Sequence, residues 1–232
     1  MGTEAVTVEQ RDNVTVVHID DAKANALSPE VLKSIQAAVV VAEGDEGTGA
    51  VVLHGRPGVF SGGFDLKVMR SGDMDAVRGM VSGGGELVRT CYGVDVPVIA
   101  ACTGHAVAAG ALLLLGCDLR VGPDANANIG LPEVNIQMVL PDWALTIAAE
   151  RLSRRHLQRA VVLGEMFDQN GAVDAGFLDE LVAAEHVLET AVSRAKALLE
   201  PMHLPSYAGS VAKLRGPVLA TMDDQIAADR AA

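Results

Sequence analysis

Aromatic side chains are scarce in this sequence. One Trp (Trp143), two Tyr and four Phe make up 3% of 232 residues. Nucleic-acid binding by stacking bases on aromatic platforms is therefore disfavoured. Basic residues are also outnumbered, 18 Lys and Arg against 30 Asp and Glu, for a formal net charge of −12. Such a surface repels phosphate backbones, which argues against nucleic acid and anionic membranes as partners. Only three cysteines occur, Cys91, Cys102 and Cys117. They cannot all pair and have no metal-ligand spacing, as expected of small apolar groups in a reducing cytoplasm. The opening MGTEAVTVEQRDN has neither the basic start nor the apolar core of a signal peptide. Serine hydrolase elbows, P-loops, HExxH pairs and GxGxxG turns are missing, and the six histidines are scattered. No metal site is expected from them.

Charge itself is missing from one stretch. The 22 residues between Asp95 and Asp118 contain no Asp, Glu, Lys or Arg. That length suits a membrane span. However, Pro97, Thr103-Gly104-His105 and Gly110 interrupt it, so it reads instead as a buried strand (97–102), a tight turn and a buried helix from about Ala109.

What is present is half hydrophobic, enough for a sizeable core. Val14–Ile19 and Ala50–His54 read as strands. Between them, Ser28-Pro29-Glu30 starts a helix with apolar residues at Val31, Leu32, Ile35, Val39 and Ala42. Residues 69–90 read as helix interrupted at Gly83-Gly84-Gly85. Short strands are expected at 119–122 and 127–130, and helices at 143–163 and 187–199. Strand–helix alternation through residue 122 predicts a parallel sheet with crossover helices, an α/β fold. A core domain over 1–186 and a helical region over 187–232 are expected.

Two glycine-rich turns follow buried strands and precede helices: Ser61-Gly62-Gly63-Phe64-Asp65 and Ala106-Val107-Ala108-Ala109-Gly110. If they face each other they offer two N–H donors to one oxygen, an oxyanion hole. If they do not, the small residues merely allow tight strand–helix packing. A third segment, Ile129-Gly130-Leu131-Pro132-Glu133, carries a lone carboxylate among apolar neighbours. Buried, Glu133 has a raised pKa and suits general acid–base work; exposed, it is an ordinary loop residue.

Taken in order, these segments resemble the crotonase (enoyl-CoA hydratase/isomerase) superfamily. Phe60 to Lys67 matches its F-x-A-G-x-D-L-K element, and Pro97 to Gly110 with Cys117-Asp118-Leu119-Arg120 matches its P-V-I-A-A…C-D-x-R element. Asn25-Ala26-Leu27-Ser28 and Ala172 to Asp179 match two further elements. The resemblance implies a ClpP-like spiral of ββα units with a C-terminal helical trimerisation region, assembling as a homotrimer or as a hexamer of paired trimers. It implies a coenzyme A thioester as substrate, with no separate cofactor. It puts the oxyanion-hole amides at Phe64 and Ala109, and the CoA contacts around Lys23, Ala24, Gly62, Asp65, Leu66 and Lys67.

One position departs from the family's hydratases, which use two glutamates. The first corresponds to Leu112 here, leaving Glu133 alone. A leucine can neither hold water nor move a proton. One base suffices for shifting a Δ3 double bond to Δ2, and Gly130-Leu131-Pro132-Glu133 with Pro141-Asp142-Trp143 resembles the pattern of Δ3,Δ2-enoyl-CoA isomerases. Asp142 is either a second acid, as in dienoyl-CoA isomerases, or a helix N-cap beside Pro141. The expected activity is thus Δ3,Δ2 isomerisation. A 2-enoyl-CoA hydratase and a weakly catalytic acyl-CoA-binding protein are the alternatives.

Overall fold

The computed structural model describes residues 5–231. The first four residues of the polar opening MGTEAVTVEQRDN, and Ala232, lie outside them.

The chain runs β1 (Val6–Arg11), β2 (Val14–Ile19), β3 (Ala26–Leu27), α1 (Pro29–Glu43), β4 (Ala50–Gly55), β5 (Gly58–Ser61) and β6 (Gly63–Phe64). Next come α2 (Leu66–Met69), α3 (Met74–Gly93), β7 (Val98–Ala101), β8 (Gly104–Val107), α4 (Ala109–Leu115), β9 (Leu119–Pro123) and β10 (Ile129–Gly130). A 3₁₀ turn over Glu133–Ile136 leads to α5 (Asp142–Arg151), α6 (Arg154–Val161), β11 (Met166–Phe167), α7 (Gln169–Ala175) and β12 (Glu180–Val182). Two helices close the chain, α8 (Val187–Leu199) and α9 (Leu204–Ala231).

Strand order reveals the repeat. One sheet runs β1-β2-β4-β7-β9-β12 and a second runs β11-β10-β8-β5. Each successive unit gives its first strand to the larger sheet (β4, β7, β9) and its second to the smaller (β5, β8, β10). Neighbours within each series pair in parallel. The result is the spiral of ββα units that the family resemblance implies.

The larger sheet is covered on both faces, which explains its uninterrupted apolar strands. Side chains alternate across a strand. Val17, Val51 and Leu53 accordingly enter the main core with α1, α3 and α4. Val16, Ala50, Val52, Ile99 and Val121 face the other way, beneath Val187, Ala191, Val192 and Ala195 of α8. Burying a Val or Leu fully contributes about 1.5–3 kcal/mol, so both layers are substantial. The charge-free run from Val96 to Cys117 is accounted for here: β7, β8 and α4 lie inside the protein. No helix of the described residues is long and apolar enough to cross a membrane. The three thiols are free and buried, and burial pushes Cys91 and Cys102 up to about 12.

Helix α1 begins as its sequence predicts. Ser28 caps it by accepting from the Val31 N–H, with Pro29 in the first turn. Two helix readings need correction. Helix α3 runs unbroken through Gly83-Gly84-Gly85, where Gly84 and Gly85 serve packing rather than a turn. A Cβ at Gly84 would sit 2.5 Å from Cζ of Phe64, and one at Gly85 would meet Ile226 at 2.8 Å and Trp143 at 3.0 Å. The helix expected over 143–163 is instead two, broken at Leu152-Ser153, where the Ser153 N–H donates to the Ala175 carbonyl.

Candidate active site

The site starts from one buried amide. Asn25 is fully buried with φ of 50°. Its side-chain N–H groups donate to the carbonyls of Ile19, Val59 and Phe60, and its Oδ1 accepts from the Asp21 N–H. Ser61 Oγ donates to the Asn25 carbonyl and accepts from the Gly63 N–H. These bonds tie the loop after β2 to the turn after β5. Gly63 takes φ of 93°, which only glycine adopts without strain. The Gly63 N–H is held by Ser61, and the Asp65 N–H donates to the Leu27 carbonyl. Strand alternation turns the intervening Phe64 N–H away from β3.

The second turn comes up against the first. A Cβ on Gly63 would lie 3.0 Å from the Val107 carbonyl oxygen and 3.5 Å from the Ala109 nitrogen. A Cβ on Gly110 would collide with the Ser61 carbonyl oxygen at 2.5 Å. Both glycines are therefore required for this close approach. Ala108 has φ of 54° and ψ of −123°, a strained conformation for alanine that costs on the order of 1–3 kcal/mol. Its N–H is anchored on the Gly130 carbonyl at 2.9 Å. Ala109 follows as the first residue of α4, so its N–H has no intrahelical acceptor. The two turns read from the sequence thus stand side by side.

Glu133 is carried on the strand that anchors Ala108. β10 pairs in parallel with β8, Ile129 opposite Ala106 and Gly130 opposite Val107. The chain then turns at Pro132 into the 3₁₀ segment, closed by the Met138 N–H donating to the Glu133 carbonyl. Glu133 is only 7% exposed, and its Oε2 has no hydrogen-bond partner. Burial pushes its pKa up to about 7, opposed only by its own backbone N–H. Its cavity, about 260 Å³, is walled by Phe64, Val77, Val81, Leu112, Leu140 and Trp143. Leu112 is buried and supplies only apolar surface to this wall. Among the described residues the one cation on the cavity, Arg78, is paired with Asp75.

The residues expected at the CoA contact also gather. Gly62 donates its N–H to the Ala24 carbonyl at 2.8 Å, and Arg56 Nη1 donates to the Lys23 carbonyl at 2.6 Å. Asp65 caps α2 by accepting from the Lys67 N–H, with Leu66 exposed beside it. Lys23, Ala24, Gly62 and Lys67 are exposed and form one rim beside the Phe64 turn.

Asp142 differs from both readings made of it. Pro141 occupies the cap position of α5, and Asp142 is its first helical residue, capping nothing with its side chain. It is exposed, whereas its neighbours Pro141 and Trp143 line the cavity. The carboxylate that does share the cavity with Glu133 is Asp229, in the last turn of α9. No sequence signal marked it; the segment reads as an ordinary polar helix end. Among the described residues no group of three His, Cys, Asp or Glu could hold a metal ion.

Known proteins carry the same architecture. The family model for enoyl-CoA hydratase/isomerase matches residues 9–229. The human mitochondrial enoyl-CoA delta isomerase 1 is 30% identical over 216 residues, which cover 91% of this chain and 70% of the relative. A Rhizobium meliloti protein named "Probable enoyl-CoA hydratase" is 27% identical, covering 85% of this chain and 76% of its own length. Among solved structures, an enoyl-CoA hydratase/isomerase family protein from Pseudomonas syringae superposes with a TM-score of 0.93 at 38% identity. That match covers 98% of this chain and 97% of the other. The human mitochondrial delta3-delta2-enoyl-CoA isomerase superposes with a TM-score of 0.91 at 28% identity, covering 98% and 89%. With a crotonase-type spiral and a family match over almost its whole length, the chain belongs to the enoyl-CoA hydratase/isomerase family.

Proposed function

We propose that this family enzyme shifts a Δ3 double bond to Δ2 in enoyl-CoA thioesters, with Glu133 as the only proton carrier. One observation carries the reading: the Glu133 carboxylate, desolvated and pushed up to about 7, faces the cavity beside the two turns, Leu112 lines that cavity at the position the resemblance assigns to the hydratases' other acid, and the cavity's second carboxylate, Asp229, comes from the last turn of α9. The Phe64 and Ala109 N–H groups polarise the thioester carbonyl. Glu133, as carboxylate, takes a proton from C2. Negative charge moves onto the thioester oxygen, where the two amides stabilise it as a dienolate. Protonated Glu133 then returns the proton at C4, and the double bond ends between C2 and C3. No net proton is gained or lost. A pKa near 7 suits a group that must both accept and return a proton at neutral pH. The amides matter comparably, since losing one oxyanion donor typically costs about 10²–10³ in rate. Lys23, Ala24, Gly62, Asp65, Leu66 and Lys67 hold the coenzyme A moiety at the exposed rim. The human isomerase relative supports the assignment.

Hydration is the competing activity, and the Rhizobium meliloti relative keeps it in view. It needs a second acid to manage the water; Asp142 is exposed and off the cavity wall, and the cavity's other carboxylate is Asp229 from the last turn of α9. Incubation with 3-hexenoyl-CoA and, separately, with crotonyl-CoA decides between them. Isomerisation of the first without water addition to the second supports the proposal; the reverse overturns it. A homotrimer, or a hexamer of paired trimers, belongs to the same reading. The exposed apolar residues Val134, Ile136, Val162 and Leu163 support such assembly.

A further inference from the structure

Three buried polar atoms without partners belong to side chains on one cavity: Glu133 Oε2, Trp143 Nε1 and Asp229 Oδ2. The proposed reaction uses the first. Asp229 is left over. It reaches the cavity because α9 lies along α3 and α5. Ile226, one turn earlier on the same face, fills the space beside Gly85 and Trp143. Arg89–Asp223, Arg230–Glu86 and Thr146–Gln225 fasten this end of the helix. Arg78, the cation on the same cavity, is already engaged with Asp75 and sends Asp229 no hydrogen bond. Burial and the nearby Asp142 carboxylate both raise the Asp229 pKa.

Buried oxygens are normally hydrogen-bonded, and one left bare on a binding cavity awaits a donor. The other lining groups on offer are apolar, apart from Glu133 and the Trp143 indole. The indole is itself a donor and is not bonded to Asp229. An acyl group anchored by the Phe64 and Ala109 amides, with C2 at Glu133, extends its tail along Val77, Val81, Leu140 and Trp143. Asp229 sits where α9 meets the start of α5, beside the exposed Asp142, at the rim of that apolar wall.

We propose that Asp229 is a specificity-determining residue that accepts a hydrogen bond from a hydroxyl on the distal part of the acyl chain. The enzyme then selects hydroxylated acyl-CoA thioesters over plain alkyl ones of equal length. A methyl-ended tail that reaches Asp229 covers the carboxylate without supplying the donor that its bare oxygen lacks. The resulting discrimination is about tenfold to a hundredfold. This inference rests on the proposed placement of the thioester, but not on turnover.

The test is calorimetric binding of saturated acyl-CoA thioesters from butanoyl to decanoyl, each beside its ω-hydroxy counterpart, to the parent, D229L and D229N. The parent binds the hydroxylated member at least tenfold more tightly at the chain lengths that reach Asp229, and equally at butanoyl. D229L reverses the preference. D229N, which keeps an accepting oxygen, retains part of it. Butanoyl-CoA affinity and the thermal midpoint serve as controls on folding. A ratio near one at every length, or a preference unmoved in D229L, overturns the inference. So does an equal loss of turnover on short substrates in D229N, which would make Asp229 an acid–base group. Because the ligands are unreactive, failure to isomerise 3-hexenoyl-CoA refutes the functional proposal without touching this result.

Discussion

Two sets of ionisable side chains in this protein are built on opposite terms. Beneath the C-terminal helices, Arg120 donates from Nε and Nη2 to Asp179 at 2.7 Å each, and from Nη1 to the Gly176 carbonyl at 2.8 Å. Asp118 accepts from the Val98 N–H at 2.8 Å, from the Tyr207 hydroxyl at 3.0 Å, and from Arg215. In that region each carboxylate is fully engaged. On the cavity, by contrast, Glu133 and Asp229 each leave an oxygen bare. An unmet buried polar group costs about 1–3 kcal/mol, so a fold that satisfies one set and not the other keeps the second for a ligand. Saturated clusters hold the scaffold; unsaturated ones do chemistry or recognition.

The largest break in that contrast is Glu133→Gln. As the sole base, Glu133 supplies general acid–base catalysis, typically worth about 10²–10⁴ in rate. We expect kcat for 3-hexenoyl-CoA isomerisation to fall about 10³-fold or more, with acyl-CoA affinity little changed. Stability should move the other way. The folded pKa of about 7 lies above the ordinary value of 4.5. Folding is therefore penalised once pH rises above 4.5, increasingly up to about 7. Glutamine removes a penalty of at most about 3 kcal/mol at pH 8 and none at pH 4. Thermal melts of both proteins at the two pH values measure this. Equal midpoints at pH 8 would contradict the desolvated seat.

Arg120→Ala breaks the other set. It removes the hydrogen bonds that a buried Arg120 sends to an exposed Asp179, and losing bonds to a charged group costs about 1.5–3 kcal/mol. Denaturant midpoints should fall accordingly, while the refolded protein keeps its affinity for acyl-CoA. A large loss of affinity at unchanged stability would erase the distinction between the sets.

The sequence revealed these regions unevenly. The spiral was legible because its motifs are local: Phe60–Lys67, Pro97–Gly110 and Asp118–Arg120 each build one strand end and the turn beyond it. Glu133 and Leu112 stood out through the family resemblance, but the residues alone left Glu133 open between a buried carboxylate and an ordinary loop residue; its 7% exposure follows from the packing around the 3₁₀ turn. The glycines at 83–85 were misread because their reason is tertiary. Gly84 and Gly85 make room for Phe64, Ile226 and Trp143, which come from three other elements. Asp229 was invisible on the same ground: its setting arises only when α9 crosses α3 and α5. Asp142 shows the complementary error, a residue next to two cavity residues in sequence whose helical direction carries it into solvent.

The pH dependence of catalysis sharpens the contrast further. The reaction needs Glu133 ionised at its start. Thus kcat/KM for the 3-enoyl substrate should rise tenfold per pH unit below about 7 and level off above it. An exposed glutamate would give a limb near its ordinary value, more than two units lower. A profile flat from pH 5 to 8 would remove Glu133 from the base role.

The smallest effect belongs to Asp142→Asn. Surface substitutions away from special features change stability by no more than about 0.5 kcal/mol, and this side chain caps no helix and holds no hydrogen bond on the cavity. Isomerisation should stay within about twofold of the parent. Asp229 feels the change, because Asp142 contributes to its raised pKa. Losing that repulsion favours the ionised Asp229 and leaves Glu133 untouched, so the acid limb of the rate profile should not move. A drop in kcat of a hundredfold would instead place Asp142 in the chemistry, and the assignment of a single proton carrier would fail with it.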